Sequence, residues 1–226
     1  PADQRHPIDV IVGLPIAVLT GDDSVATVKG VKTFLGGTHT WQTGGQSRSA
    51  TIENVRVTGQ PVGALFEFFL DEKGNPRPEH RAAYDREVGV VNIGMSTIDL
   101  LATRRGQPVE RFTAGETLGV RRLLTMLNGN GLFSLAELDA QLRAGRLDTG
   151  AYVSIWAREV FGFIDLIWGK FRGRFSRIIC TGGGVHLLRD TLLRKFGPLV
   201  YIADDPVLAT AIGLHRFALM QARGGK

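Results

Sequence analysis

The sequence contains little cysteine, no long apolar run and no strong excess of charge. Cys180 is the single cysteine among 226 residues, which excludes an internal disulfide framework and fits a reducing compartment. No apolar run reaches the roughly 18 residues of a membrane span, and the start lacks the basic and apolar regions of a signal peptide. Five histidines are scattered without ligand spacing, so we expect no structural zinc site; they are His6, His39, His80, His186 and His215. These absences predict a cytoplasmic protein without a membrane span.

The composition is that of an ordinary globular protein. Apolar residues make up 43% and charged residues 22% of the chain, and this length fits one large domain or two moderate ones. The net charge of +5 is modest and spread along the chain, so it does not by itself indicate nucleic acid. The segment 170–177 interleaves basic and aromatic residues and could contact a single strand. A solvated loop is the favoured interpretation, and we expect no direct binding of nucleic acid.

The first part of the chain alternates short β-rich runs with glycine-rich turns. These patterns predict strands at 8–12 and 50–58, and a hairpin at 32–41 that turns at Gly36 and Gly37. Pro61 is well placed to begin a helix that continues to Leu70. The charged, proline-containing stretch 71–78 is the predicted linker. We therefore expect two units, residues 1–84 and residues 85–226.

The second unit reads as three strands, three helices, and then strands alternating with helices. The predicted strands are 88–93, 97–103, 108–113, 177–181 and 199–202. The predicted helices are 116–127, 135–143, 149–168, 185–196 and 206–220. Ser134 and Glu137 have the spacing of a capping box at the second helix, and Asp148 is a candidate cap for the third. This order predicts an α/β fold with a mixed sheet.

One stretch suits a phosphate group. Residues 90–101 read as an apolar strand, a polar turn and a second apolar strand. The turn offers the bare backbone of Gly94 and the hydroxyls of Ser96 and Thr97, which can cradle an anion. Asp99 follows and could serve a hydrated metal ion. The alternative is a plain β-hairpin, whose turns use the same residue types.

A second stretch, residues 178–188, runs from a buried strand through three glycines into a helix. Gly182, Gly183 and Gly184 would let a ligand approach the backbone at the start of that helix. The alternative is a tight connection that needs positive φ angles. The dinucleotide pattern G-x-G-x-x-G is absent and no Walker lysine follows, so neither of those nucleotide-binding modes fits.

Two further turns carry single polar side chains. Gln60 lies where a strand gives way to a helix, and its amide could orient a water molecule; the alternative is a simple helix cap. Glu116 lies in a glycine-flanked turn before another helix, where the alternative is an acid at a helix N-terminus.

Taken in order, these segments resemble the actin-like ATPases, the superfamily that also holds Hsp70 and the sugar kinases. The resemblance extends over almost the whole chain, in particular to ParM-type plasmid-partition proteins and archaeal actin-like proteins. The matching segments are 11–15, 36–38 with 55–64, 92–99, 115–120, 181–185 and 205–213. The resemblance implies the actin-like (ribonuclease H-like) fold, with mixed sheets flanked by helices and a last helix that returns to the first lobe.

The resemblance also implies a site for ATP and Mg²⁺ between the two lobes. The loop formed by Gly94, Met95, Ser96 and Thr97 would hold the β- and γ-phosphates. Asn92 and Asp99 would serve the metal shell, and Gln60 would position the lytic water. The adenosine would be bordered by Glu116, Gly182, Gly183 and Gly184. Self-association into filaments and contact with an adaptor protein are the implied interactions.

Two departures from the family pattern bear on activity. The family's second phosphate loop opens with Asp, whereas this chain has Asn92, whose uncharged amide should lower metal affinity. Nothing here matches the family's first phosphate loop, so we expect the first lobe to be incomplete at the N-terminus. Slow or absent hydrolysis is therefore expected. A non-hydrolysing structural protein of the same fold and a small-molecule kinase of the superfamily remain as alternatives.

Overall fold

The computed structural model describes residues 7–224, so His6 and the first six residues of the expected first unit lie outside it. Two β-sheets are present. The first contains three strands in the order β1-β3-β2; they are β1 (Ile8–Leu14), β2 (Gly37–Thr43) and β3 (Gln46–Gly59). The helices of this part are α1 (Ile16–Thr20), α2 (Ser24–Leu35), α3 (Gln60–Phe69) and the short α4 (Arg81–Tyr84).

In the first sheet, β1 is parallel to β3 and β2 is antiparallel to it. The predicted strand at 50–58 and the helix starting near Pro61 are confirmed. The predicted hairpin at 32–41 is wrong, because residues 24–35 form α2 and Gly36 ends that helix. The hairpin instead joins β2 to β3 through Gly44 and Gly45, whose φ angles are 56° and 75°. Such two-residue turns require positive φ at both positions.

The second sheet has six strands, with the order β6-β5-β4-β8-β9 and with β7 paired to β5. Its strands are β4 (Glu87–Ile93), β5 (Ile98–Arg104), β6 (Gln107–Pro108), β7 (Ala114–Glu116), β8 (Phe175–Thr181) and β9 (Val200–Ile202). β4 is antiparallel to β5 and parallel to β8. The expected α/β class with mixed sheets is confirmed.

The segment between β5 and the next helix differs from the prediction. The expected strand at 108–113 is wrong, since within it only Pro108 pairs with β5, as the second residue of β6, and Glu110–Phe112 form a 3₁₀ turn. The side chain of Phe112 is buried in the core. The expected helix from Glu116 starts four residues later, at Val120, because residues 114–116 pair with β5 as β7.

The last helix, α9 (Ala209–Gly224), packs mainly against α3. Four longer helices cover one face of the second sheet: α5 (Val120–Leu127), α6 (Leu135–Arg143), α7 (Gly150–Trp168) and α8 (Gly184–Phe196). The capping box of Ser134 and Glu137 is confirmed at the start of α6. Thr149 occupies the N-cap position of α7, while a carboxylate oxygen of Asp148 accepts the amide of Gly150 at 2.9 Å. The main core lies between these helices and the second sheet, around Trp156 and other large buried side chains.

The helices α3 and α9 connect the two sheets. Gly63 and Gly213 let their backbones touch, because a Cβ on either would collide with the backbone of the other helix. Beside this crossing, the buried Arg216 guanidinium donates to Glu67, both to its carboxylate at 3.2 Å and to its backbone carbonyl at 2.7 Å. The last helix thus returns to the first part of the fold. Within residues 7–224, no helix is long and apolar enough to cross a membrane.

Candidate functional site

A cavity of about 600 Å³ opens where the carboxyl ends of β4 and β8 meet the start of α3. Asn92, the next-to-last residue of β4, is paired with Thr181 on parallel β8 and with Asp99 on antiparallel β5. Crevices at the carboxyl ends of parallel strands are common ligand sites in α/β folds. Of the predicted site residues, this cavity is lined by Gln60, Asn92, Gly94, Met95, Gly182 and Gly183.

In the loop between β4 and β5, residues 94–97, backbone carbonyls are hydrogen-bonded to the protein while most backbone amides are not. The carbonyls of Gly94, Met95 and Ser96 accept the amides of Gly119 and the first two residues of α5, at 2.7 to 3.2 Å. Within residues 7–224, the amides of Met95, Ser96 and Thr97 donate no hydrogen bond. Gly119 permits this contact, since its Cβ would lie 2.6 Å from the carbonyl oxygen of Met95. Successive unpaired amides are suited to binding an anion.

The three glycines between β8 and α8 have different environments. Gly182 has φ of +88°, and a Cβ there would collide with the carbonyl of Ile93. A Cβ at Gly184 would collide with the Ile93 side chain, whereas Gly183 has nothing within 4 Å. The turn is anchored by Thr181, whose hydroxyl donates to the carbonyl of Pro206 at 2.7 Å. Gly182 and Gly184 therefore shape the turn, and Gly183 leaves open space beside the cavity.

Gln60 and Asn92 are in direct contact across the cavity floor. The amide nitrogen of Asn92 donates to the side-chain oxygen of Gln60 at 3.2 Å, and Asn92 is only 4% exposed. Gln60 does not cap α3, whose N-cap residue is Gly59 and whose start has no side-chain cap. Within the described part of the chain, the side-chain oxygen of Asn92 accepts no hydrogen bond. Both amides thus retain hydrogen-bonding capacity at the cavity.

Asp99 is fully buried behind this pair and does not line the cavity. One carboxylate oxygen accepts the backbone amide of Ile16 at 2.7 Å, and the other accepts the hydroxyl of Thr97 at 3.1 Å. Burial raises the pKa of Asp99 above its usual value, and the hydrogen bonds from Ile16, Thr97 and Asn92 offset part of that effect. The predicted contribution of Asp99 to a metal shell stays a prediction.

The remaining predicted residues do not line the cavity. Ser96 is exposed on the loop. Glu116 is exposed at the end of β7, where its carboxylate accepts the amide and the hydroxyl of Thr117 at 2.7 and 3.0 Å. The structure therefore does not bring Ser96, Thr97, Asp99, Glu116 or Gly184 to the cavity wall.

Several lining residues were missed by the sequence analysis. They come from the second half of α6, from the first turn of α8, and from the start of α9 with the segment before it: Asp139, Leu142, Arg143, His186, Leu187, Val207 and Thr210. His186 lies two residues after Gly184 and could have been found from its position beside the glycine turn. No local sequence pattern predicts that Arg143 lines the cavity, because only the packing of α6 brings it there. Its guanidinium forms an ion pair with Asp139 at 2.8 Å.

The fold is that of the actin-like proteins, and the resemblance expected from the sequence is confirmed by solved structures. A non-polymerisable quadruple mutant of pCBH ParM matches with a TM-score of 0.74 and 18% identity, over 97% of this chain and 69% of that one. The archaeal actin homologue Ta0583, in complex with ADP, matches with a TM-score of 0.71 and 19% identity, over 94% and 72%. Apo pSK41 ParM gives 0.66 and 18%, over 97% of this chain and 66% of its own length.

At these identities the likeness establishes the fold, and the chain spans only 66 to 72% of the length of these three structures. No protein-family model matches the sequence, and no curated protein matches it.

The donor set at the cavity fits the phosphates of a nucleotide better than it fits a bare metal ion. Unpaired amides on the loop and an open glycine opposite them can accommodate an anion. In contrast, the described residues contain no group of three His, Cys, Asp or Glu side chains that could hold a metal. Mg²⁺ bound to phosphates keeps several waters and needs only one or two protein ligands, so the open oxygen of Asn92 fits a weak, phosphate-dependent metal site.

Proposed function

We propose that this chain is part of a nucleotide-dependent actin-like filament protein that binds ATP with Mg²⁺ in the cavity and hydrolyses it. The observation that carries the proposal is one cavity of about 600 Å³, lined on one side by Gly94 and Met95 of a loop with successive unpaired amides and on another by Gly182 and the open Gly183. The nucleotide would lie between two lobes, residues 1–84 and residues 85–226. The structure of Ta0583 in complex with ADP supports nucleotide binding by a protein of this fold.

The loop residues Gly94, Met95, Ser96 and Thr97 would hold the β- and γ-phosphates, through the unpaired amides of the last three and the exposed hydroxyl of Ser96. Gly182, Gly183 and Gly184 would border the adenosine, with Glu116 at the rim. The structure adds Arg143 and His186 as side chains facing the same space. When bound, Mg²⁺ would neutralise the charge of the phosphates, with Asn92 and Asp99 as its candidate partners.

Gln60 would orient the attacking water. Its side-chain oxygen is held by Asn92, and its NH₂ group remains available within the described residues. This arrangement holds the side chain at the cavity rather than leaving it to rotate in solvent. An amide orients water without removing its proton, so the expected rate is modest.

Filament formation is the second part of the proposal. Two further structures with this fold are the Alp12 filament and a 15-stranded ParM filament from Clostridium botulinum. By analogy of fold, we propose that the protein assembles with copies of itself in the cytoplasm. Plasmid segregation or cytoskeletal organisation, with an adaptor protein as a further partner, is the corresponding role.

The rival function is a non-hydrolysing structural protein of the same fold. The uncharged Asn92 and the occupied carboxylate of Asp99 favour it, because together they leave the site without a free anionic metal ligand. The two functions predict different responses to the substitution Asn92→Asp. Restored charge should raise Mg²⁺ affinity and phosphate release if the site is catalytic.

The test is calorimetry with Mg-ATP and a phosphate-release assay on this chain, and on the chain with any residues encoded upstream, each compared with Asn92→Asp. Gly162→Ala is a matched control, since Gly162 lies on α7 with nothing within 4 Å. Nucleotide binding with faster phosphate release by Asn92→Asp supports the ATPase. Binding and filaments without release in either protein favour the structural rival, and absence of nucleotide binding in every form overturns the proposal.

A further inference from the structure

The buried Asp99 carboxylate joins elements that lie far apart in the sequence. Ile16, whose amide it accepts at 2.7 Å, is the first residue of α1 and belongs to the first part of the fold, 83 positions away. Thr97, whose hydroxyl it accepts at 3.1 Å, belongs to the candidate phosphate loop. The neighbouring β7 adds to this contact, because a Cβ on Gly115 would lie 2.8 Å from the amide nitrogen of Ala17 and 2.9 Å from Asp99.

From these contacts we infer that Asp99 is a positioning residue, which fastens the loop 94–97 to the start of α1 and fixes the placement of Gln60 through Asn92. The path is short. One amide group of Asn92 donates to Gln60 at 3.2 Å and to Asp99 at the longer distance of 3.5 Å. Gln60 in turn packs on Gly13 of β1, where an added Cβ would lie 3.2 Å from the Gln60 Cα.

These contacts form a closed circuit across the two sheets. Ile16 and Gln60 flank the first sheet, while Asn92 and Asp99 are cross-strand partners in the second. Two hydrogen bonds join the sheets, and we call each of them a crossing. At the first crossing Asp99 accepts the amide of Ile16, and at the second Asn92 donates to Gln60. A movement of the loop when an anion binds would therefore be passed to both α1 and α3. That such a movement would reposition Gln60 for hydrolysis rests on the proposed function, whereas the contacts themselves do not.

Three substitutions separate the parts of this circuit. Asp99→Ala removes every acceptor. Asp99→Asn keeps one oxygen for Ile16 but places an NH₂ group against the NH₂ group of Asn92, so it should disturb only the second crossing. Thr97→Val removes the hydrogen bond between the loop and Asp99 and retains the side-chain volume, so it should loosen the loop alone and leave both crossings intact. Gly162→Ala on α7 is the matched control, because an added Cβ there has nothing within 4 Å.

The experiment is NMR of the nucleotide-free chain, measuring hydrogen exchange at the Ile16 amide and the side-chain NH₂ signals of Gln60. We expect Asp99→Ala to speed exchange at Ile16 at least about tenfold, the effect of losing a hydrogen bond to a charged group, without similar changes in α7. Asp99→Asn should retain slow exchange at Ile16 yet shift and broaden the Gln60 signals. Thr97→Val should change neither signal but speed exchange at the Gly94 amide, which donates to the Thr97 carbonyl at 2.9 Å, and Gly162→Ala should change none of the three.

An unprotected Ile16 amide in the wild-type chain, or Gln60 signals unaffected by Asp99→Asn, would overturn the inference. If Asp99→Ala does not fold, the wild-type and Asp99→Asn measurements decide it alone. Because no nucleotide is added, a chain that never binds ATP can still show the circuit. Failure of the proposed function is thereby distinguished from failure of this inference.

Discussion

The three glycines of the turn before α8 should respond differently to the same substitution. Gly182→Ala places an L-residue at φ of +88° and a methyl group against the carbonyl of Ile93. The conformational strain costs about 1–3 kcal/mol, and the overpacking costs about 1–3 kcal/mol more. We therefore expect Gly182→Ala to lower the free energy of unfolding by about 2–6 kcal/mol.

Gly184→Ala should cost less. Its backbone is already helical, and the clash is with the side chain of the fully buried Ile93. Overpacking of about 1–3 kcal/mol is partly offset by about 1 kcal/mol of helix propensity. Gly183 has helical φ and ψ angles of −61° and −28° and no atom within 4 Å of an added Cβ. Gly183→Ala should change stability by no more than about 0.5 kcal/mol.

Urea unfolding followed by circular dichroism measures these differences. With a slope near 2 kcal/mol per molar urea, Gly182→Ala should lower the midpoint by about 1 M or more, and Gly183→Ala should leave it nearly unchanged. Calorimetry with Mg-ATP supplies the second readout, in which Gly183→Ala should weaken binding although the fold is intact. The control Gly162→Ala should not. Equal destabilisation by all three alanines would refute the assignment of Gly183 to open space at the cavity.

Other predictions follow from single contacts. Ser134→Ala should lower the free energy of unfolding by about 1 kcal/mol through loss of the α6 cap. The pKa of Glu137 is held below its usual value by the amide and hydroxyl of Ser134, so this cap should be intact above the usual glutamate pKa and weaken in acid titration, as pH falls through the lowered value. Burial raises the pKa of Cys180 to about 12; its thiol should therefore resist a colorimetric thiol reagent at pH 8 until urea unfolds the chain. Arg216→Ala should cost about 3–5 kcal/mol in urea unfolding, because it leaves the buried Glu67 carboxylate without its cation, and an unfolding curve close to wild type would contradict this.

Local sequence patterns were sufficient to predict the elements whose characteristic residues lie within a few positions of each other. The strand, turn and strand around Gly94 were predicted from apolar runs on both sides of a polar turn. The cap at Ser134 was predicted from its spacing to Glu137. The α2 helix was misread because its β-branched residues favour a strand, and because Gly36 and Gly37 resemble a hairpin turn although Gly36 ends a helix. The true turn at 44–45 has the same glycine pair, so composition alone could not distinguish the two.

The sequence by itself determined the α/β class, the order of the motifs and the presence of polar residues at the strand ends, because each depends on neighbours within a few positions. Only the tertiary structure decided what those residues contact. The carboxylate of Asp99 meets an amide 83 residues away, and Arg143 reaches the cavity through the packing of α6. Among the glycines of one turn, Gly182 and Gly184 meet Ile93 while Gly183 meets open space. Such contacts depend on how whole helices and strands pack against each other, and that packing cannot be predicted from the local spacing of residues.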